Sequence, residues 1–496
     1  MHEGRRLTSA LLPAQKELLS GLTSGLKPVH GQETLRHVER KKEDDVDCIS
    51  LLPNRVLEDI ISLLPTKDAA RTQTLATQWH HLWRSAPLNL DCSGGGLPEQ
   101  EQVQAGLISR VLAAHPRPVR RFSIPALHLR QHRLAIVDNW LNSAAFDNLQ
   151  ELEFYLGYVM CCFGQAVLLP ASAFRFSATL RVITISECHI SDGAVEGLSF
   201  PQLRHLGLVG VMISEGSLQS IIDGSPVLEC LLLSCSFGFH SIRINSPTLV
   251  SIGLCLYVDS VSFVIEDAPL LERLFQFDRL IETKHTYVSV ISAPRLETLG
   301  CLSDYISQSK YAFGTTILQD LWIVSFTTEV RSVKTLAINM RKLSLDTTSS
   351  LAGGQNLWRR KHGRHVRSLD IRLKTIVLKN YRGIKSQVSF ANFFVLNAKM
   401  LELMRFEGKR CNDSQFIAKQ QSLLVLAERA STGAQFRFKR SWHCIPNIKR
   451  ASDLLKTDPF ECTENTKSTK NKEKETPFDD YSNTTRNAWN TDDNLE

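Results

Sequence analysis

The residues best suited to chemistry in this 496-residue chain are fifteen histidines and twelve cysteines. Their spacing argues against most of what they could do. Cys161 and Cys162 are adjacent, and no two cysteines form a C-x-x-C pair, so the usual zinc-ligand spacing is missing. His80 and His81 sit beside Trp79 and Trp83 in a helical stretch, where solvation or contact with a partner accounts for them. His189 and His205 stand alone. No G-x-S-x-G, phosphate loop or H-E-x-x-H occurs. The expectation is a non-enzyme with no catalytic residue, no metal site and no cofactor. Arg273 beside Phe275 is too little to argue an anion or small-molecule site.

The bulk numbers narrow the class further. The chain is 43% hydrophobic and 22% charged, ordinary for a folded domain. Its net charge of +7 comes from 58 Lys+Arg against 51 Asp+Glu spread along the length. Without a concentrated basic stripe, no nucleic-acid partner is expected. No apolar run reaches the roughly 18 residues of a membrane span, and the first residues lack a secretory apolar core. Cysteines scattered in this way are more often buried thiols than disulfides, which points to a reducing compartment, cytoplasm and/or nucleus.

The elements that would position any functional residue fall into blocks. Residues 1–44 read as a flexible leader and 463–496 as a disordered polar tail with almost no aliphatic residues. Residues 45–92 are helical in pattern. Pro53 suits a helix start, and Val56, Ile60, Leu63 and Leu64 then fall on one stripe, widened by Leu57 and Ile61. Pro65 stops that helix and Thr66 can cap the next. There Leu75, Trp79, Leu82 and Trp83 repeat the i, i+4, i+7, i+8 spacing. Two short helices this apolar cannot cover one another, so a neighbouring domain or a partner must.

Residues 100–365 read as a series of short apolar strands. The template L-x-x-L-x-L recurs with first positions Leu180, Leu203, Leu228, Leu249, Leu271, Leu296 and Leu318. These spacings of 21–25 residues predict a solenoid whose units bury their leucines only against neighbours. Side chains alternate along a strand, so the residues between the leucines face the concave side. Tyr155, Leu232, Arg273, Phe275, Phe277 and Trp322 are the candidate substrate-facing residues, unless loops or the C-terminal segment cover them. Residues 366–446 restart the template at Leu373 and predict a strand, a helix and a second strand ending near Phe406. The fold class is thus α+β or α/β: a small helical domain followed by a solenoid.

Leu52-Pro53, Leu57/Ile60, Leu63-Leu64-Pro65 and the closing Trp79-x-x-Leu82-Trp83 resemble an F-box. The wording LLPTKDAARTQ…HLWRSAPLNLD is similar to F-boxes of plant F-box/leucine-rich-repeat proteins. VLKNYRG, FANFFVLNAKMLELM and SWHCIPNIKRASDLLKTDPFEC resemble the FBD region that follows their repeats. The resemblance spans residues 47–462. It implies docking onto a Skp-type adaptor, and through it a cullin, by Leu52, Pro53, Val56, Leu57, Ile60, Leu63, Leu64, Leu75, Trp79, Leu82 and Trp83. It further implies an SCF-type ubiquitin-ligase subunit whose repeats hold an unidentified protein substrate. Such plant sequences usually carry Arg where this one has Gln78 and His80. That difference motivates an alternative, a repeat-based interaction module with a weakened F-box acting outside the ligase.

Overall fold

The computed structural model describes residues 49, 51–64, 66–75, 77–92, 101–114, 118–156, 167–255, 261–276, 286–303, 310–313, 316–319, 322–325, 332–340, 372–441, 448, 450–456 and 460. The leader 1–44, the tail 463–496, Cys161–Cys162 and Phe277 fall outside them. All of the described residues lie in the unit that ends at Phe460.

Among the described residues three helical pieces come first: α1 (Asn54–Ser62), α2 (Thr66–Arg71) with a 3-10 turn at Thr72–Thr74, and α3 (Thr77–Ser85). Pro53 stands at the N-cap of α1 with φ −57°, and its carbonyl accepts from the Val56 and Leu57 amides at 2.9 and 3.2 Å. The proline needs no amide partner there, which is why it starts the helix cleanly. The stripe that turns inward is Leu57 and Ile61, packed with Ala69, Trp79, Leu82 and Ala86. Val56, Ile60 and Leu64 are only half-buried, and Leu63 is exposed. The expected stripe is thus rotated by about one residue. The α2–α3 segment packs on the Leu57 side, and that side fixes which face becomes interior.

The solenoid opens at the end of the helical domain, not after it. Strand β1 (Leu88–Asp91) pairs in parallel with β2 (Val119–Pro125), making it the first strand of a 13-stranded parallel sheet. Asn89 donates to the carbonyl of Ser62, and the Arg120 guanidinium donates to the Ser62 hydroxyl at 3.3 Å, so α1 is tied to the first repeat. Between these strands, where a further strand is expected from residue 100, the chain forms helix α4 (Glu101–Ala114). Its Ala, Leu, Gln and Glu favour helix. Ile108 is buried, with Val111 and Leu112 packed beside it.

The sheet continues through β3 (Glu151–Tyr155), β5 (Val182–Ser186), β7 (His205–Val209), β9 (Cys230–Ser234), β11 (Ser251–Cys255), β13 (Arg273–Gln276), β15 (Thr298–Ser303), β19 (Thr335–Asn339), β20 (Thr375–Lys379), β21 (Leu403–Gly408) and β22 (Gln435–Arg440). The template leucines stack in register: Phe122, Leu152, Ile183, Leu206, Leu231, Ile252, Leu274 and Leu299 each pair with the next. The row runs on through Leu336, Ile376, Met404 and Phe436.

Behind the row lies a second layer. It holds helices α5 (Leu134–Leu141), α6 (Asp192–Val195) and α7 (Glu215–Asp223) and a three-stranded sheet of β4 (Val167–Leu168), β6 (Cys188–Ile190) and β8 (Met212–Ile213). A six-stranded sheet then takes over, with β10 (Ser241–Asn245), β12 (Val261–Asp267), β14 (Thr286–Val290), β16 (Lys310–Phe313), β17 (Thr316–Gln319) and β18 (Trp322–Ser325). Parallel strands joined by such crossovers suit a solenoid, and the core sits between the layers.

One repeat departs from the template. Leu318 lies in β17, which pairs antiparallel with β16 and β18 in the six-stranded sheet. The strand that follows β15 in the main sheet is β19, carrying Leu336 and Ile338 after Val333. Val333-x-x-Leu336-x-Ile338 fits a β-branched form of the template. It begins 37 residues after Leu296 because the β16–β18 hairpins are inserted between. Trp322 accordingly belongs to the back layer, not the concave face.

Beyond β20, helix α8 (Lys385–Asn397) buries Val388, Ala391, Phe394 and Val395 and leads into β21, the expected strand–helix–strand. Tyr381 is buried at its start, against Phe406 at 4.7 Å, and its hydroxyl donates to Gln420 Oε1 at 2.8 Å.

A titrating group sits in the core near the first repeats. His128 is buried against Trp140, and burial first, then the Arg133 charge, lowers its pKa from 6.5 to about 4. The unfolded chain therefore takes up a proton near pH 6.5 that the folded chain takes up only near pH 4. Stability falls between those values as pH drops. Thermal midpoints measured from pH 7 to 4 should show this limb, and His128→Gln should flatten it.

Candidate functional site

Two surfaces could engage partners, one on the helical domain and one on the inner face of the solenoid. On the helical domain the side chains divide sharply. Leu57 (0% exposed), Trp79 (4%) and Leu82 (3%), which the resemblance implies as adaptor contacts, form its interior. They lie between α1 and α3, and a partner could reach them only by prying the helices apart. Leu51 (74%), Leu63 (56%) and Leu75 (45%) are exposed, as is Pro53. Leu52, Val56, Ile60 and Leu64 form a half-buried margin. The side chains of Gln78, His80 and Trp83 lie outside the described residues. Leu51 carries no signal in the sequence, because it precedes the helix and belongs to no helical period. Three large apolar side chains this exposed on one small domain are a feature of docking surfaces.

On the concave face a second row runs in register one residue beyond the leucines. It comprises Ser123, Glu153, Thr184, Gly207, Leu232, Gly253, Phe275 and Gly300, followed by Ala337, Val377, Arg405 and Arg437. It begins polar, becomes small and apolar in the middle, and ends basic. β9 and β11 are buried at every position, so both faces of the sheet are covered there. The cover is the C-terminal segment, a 3-10 turn at Ala451–Leu455 flanked by Arg450, Lys456 and Phe460.

This strap tracks the row in order. Arg450 Nε lies 3.1 Å from Glu153 Oε1, its guanidinium donates to Ser123 Oγ at 3.3 Å, and it sits over the Tyr155 ring at 5.9 Å. Ala451 and Leu454 are buried with Cys230, Leu232, Cys235 and Cys255. Arg273 donates to the carbonyls of Leu454 and Lys456 at 3.1 and 2.9 Å. Phe460 packs edge-on against Phe275 at 5.6 Å, and its carbonyl accepts from Lys379 Nζ at 3.1 Å.

Of the residues expected to face a substrate, Leu232 (1% exposed) and Phe275 (0%) are therefore covered by the chain's own strap. Arg273 is occupied by strap carbonyls. Tyr155 is half-buried, its hydroxyl donating to the Cys92 carbonyl at 2.9 Å. Burial, then Cys92 and Asp91, push its pKa up. The strap residues are remote in sequence from the strands they cover, and nothing in a repeat template marks what will lie across it.

Both ends of the row hold buried charge. At the first end Arg121 reaches Asp91, Glu151 and Glu153 at 3.3, 3.4 and 2.9 Å. Burial opposes its charge, but those carboxylates outweigh burial and hold its pKa above the ordinary guanidinium range. At the other end Lys379 (0% exposed) lies 3.4 Å from Glu407, which also pairs with Arg405 at 2.7 Å. In the middle, burial first, then Glu229, pushes the Cys230 thiol up to about 12. A thiol with that pKa is a packing group, not a nucleophile. Among the described residues, no three His, Cys, Asp or Glu side chains come together to hold a metal ion. None of the described helices is long and apolar enough to cross a membrane.

A helical domain with exposed leucines, tied to a leucine-rich solenoid that ends in a strand–helix–strand unit, defines the class. Residues 49–91 match the F-box domain family and residues 365–406 the FBD family. Residues 137–351 match the repeats of the FBD-associated F-box protein At5g56370. The chain carries an F-box, leucine-rich repeats and an FBD, in that order.

Its relatives in Arabidopsis thaliana include the putative F-box/LRR-repeat protein At3g28410, 24% identical over 331 residues, which are 61% of this chain and 66% of that one. The F-box/FBD/LRR-repeat protein At1g13570 is 28% identical over 239 residues, 45% of this chain and 52% of that one. F-box/LRR-repeat protein 13 is 25% identical over 251 residues, 48% of this chain and 53% of that one. The matches span between 52% and 66% of the length of these relatives. No solved structure matches the chain.

Proposed function

We propose that this chain is a non-catalytic, substrate-holding subunit of an SCF-type cullin–RING ubiquitin ligase. The F-box docks on a Skp-type adaptor, and through it a cullin, while the repeats hold a protein substrate. The observation that carries the reading is the exposure of Leu51, Pro53, Leu63 and Leu75 on a domain whose own core is already complete. The half-buried Leu52, Val56, Ile60 and Leu64 would border that contact. The chain's contribution to rate would be proximity, raising the effective concentration of acceptor lysines near the conjugating enzyme.

The test is co-purification of the full chain with a Skp-type adaptor. The triple variant L51D/L63D/L75D should lose adaptor retention at least a hundredfold while its thermal midpoint stays close to wild type. Undiminished retention by that variant would sink the assignment of this face. Failure of the wild type to retain any adaptor would favour the interaction module acting outside the ligase.

A further inference from the structure

We propose that the concave groove is a binding site for an extended peptide and that the C-terminal strap is its resident, displaceable occupant. The ligand's chemistry is read from the strap: a guanidinium, an aliphatic side chain and an aromatic ring in the spacing of Arg450, Leu454 and Phe460. The proposal rests on the reading of the repeats as the substrate-holding part and adds what they hold and how access is regulated.

The groove is built to take a chain segment. Its middle row is kept low by Gly207, Gly253, Gly300 and Ala337. A Cβ at Gly207 would touch Thr184 Oγ1 at 3.4 Å and the Ala451 backbone nitrogen at 3.5 Å. One at Gly300 would clash with Ala337 Cβ at 2.6 Å and crowd the tip of the Phe460 ring at 3.0 Å, so the sheet and the strap both require small residues there. At the first end, Glu153 and Tyr155 cradle a guanidinium. In the middle, Leu232 and Phe275 supply apolar seats. Arg273 and Lys379 grip the segment by its backbone carbonyls, a mode indifferent to which side chains the ligand carries there.

The strap is seated in this groove without being part of the sheet. Its described residues add no strand to the 13-stranded ladder, and none of them belongs to the large core between the two layers. The amides of Arg450, Asp453 and Lys456 bond to atoms of the strap itself. Its apolar anchors Ala451, Leu454 and Phe460 pack into a cluster on the concave side that is separate from the main core and made mostly of sheet residues. Leu454 and Phe460 are its large apolar anchors, joined by Ala451 and by the polar contacts of Arg450, Arg273 and Lys379. These few holds must offset the ordering of the whole segment, whereas a repeat is held by full ladders on both sides. Because the strap is tethered, its local concentration is high, and an external peptide binds only by out-competing it.

The experiment uses the full chain and a fluorescent peptide of residues 448–460, IKRASDLLKTDPF. In the variant R450E/L454D the strap should leave the groove. The peptide should then bind at least tenfold more tightly than to wild type, while a peptide carrying the same two changes should not bind. A variant with a wild-type thermal midpoint that takes no peptide would overturn the proposal. Should the variant fail to fold, hydrogen exchange on the wild type decides. The Asp453 and Lys456 amides should exchange at least a hundredfold faster than those of β9 and β11, and equal protection would overturn it. Adaptor retention is scored on the same samples. Its loss with peptide binding intact would count against the ligase reading alone.

Discussion

Trp79→Ala should destabilise the F-box by about 3–5 kcal/mol, the cost of deleting a large buried aromatic and leaving a cavity. Trp79 is 4% exposed and packs with Leu57, Ile61, Ala69, Leu82 and Ala86, so α1 and α3 would lose the contact that holds them together. Leu57→Ala, at 0% exposure, should cost about 2–5 kcal/mol for the same reason. Both variants should lose the adaptor because the domain melts. The Leu51, Leu63 and Leu75 variant should instead lose it with the domain intact. Urea midpoints and adaptor retention, measured side by side, separate the two. If Trp79→Ala shifts no midpoint yet abolishes retention, Trp79 is a contact residue after all and the division between core and docking face is wrong.

The second large effect is expected at the far end of the groove. Glu407→Ala should cost about 3–5 kcal/mol because it strands the fully buried Lys379 without its carboxylate. The paired change K379M/E407M removes the Lys379 charge as well and should recover part of that loss, the remainder reflecting Arg405, which still loses the Glu407 carboxylate. A denaturant midpoint series on Glu407→Ala, Lys379→Met and the paired variant gives the coupling directly. The paired variant also deletes the donor to the Phe460 carbonyl. It should therefore raise hydrogen exchange in the strap more than in β9 and β11.

The repeat architecture is largely legible because its physics is local and periodic. A leucine every 21–25 residues, in the L-x-x-L-x-L phase, has nowhere to go but a stacked row. The registers from Phe122 to Phe436 are that row. The template fails where the period is interrupted. The β16–β18 insertion puts Leu318 on a back-layer hairpin and hides the true next strand, because a six-residue pattern cannot tell which of two layers will recruit it. Likewise the stripe read for α1 lies one residue off. Apolar residues on α1 span more than one face, and only the position of α3 selects Leu57 and Ile61 as interior.

By itself, then, the sequence determined the features that spacing along the chain dictates: a proline-started helix pair, a leucine solenoid, a strand–helix–strand close, and no recognisable catalytic or metal-ligand motif. Tertiary structure decided everything that depends on what lies across from a residue. It turned Trp79 and Leu82 inward and left Leu51, Leu63 and Leu75 outward. It brought Arg450 to Glu153 from a distant part of the chain and laid Leu454 and Phe460 over the face that Leu232 and Phe275 would otherwise present. Alternation along a strand says which way a side chain points. Whether solvent or another part of the same chain meets it there is a long-range contact, and such contacts leave no period to read.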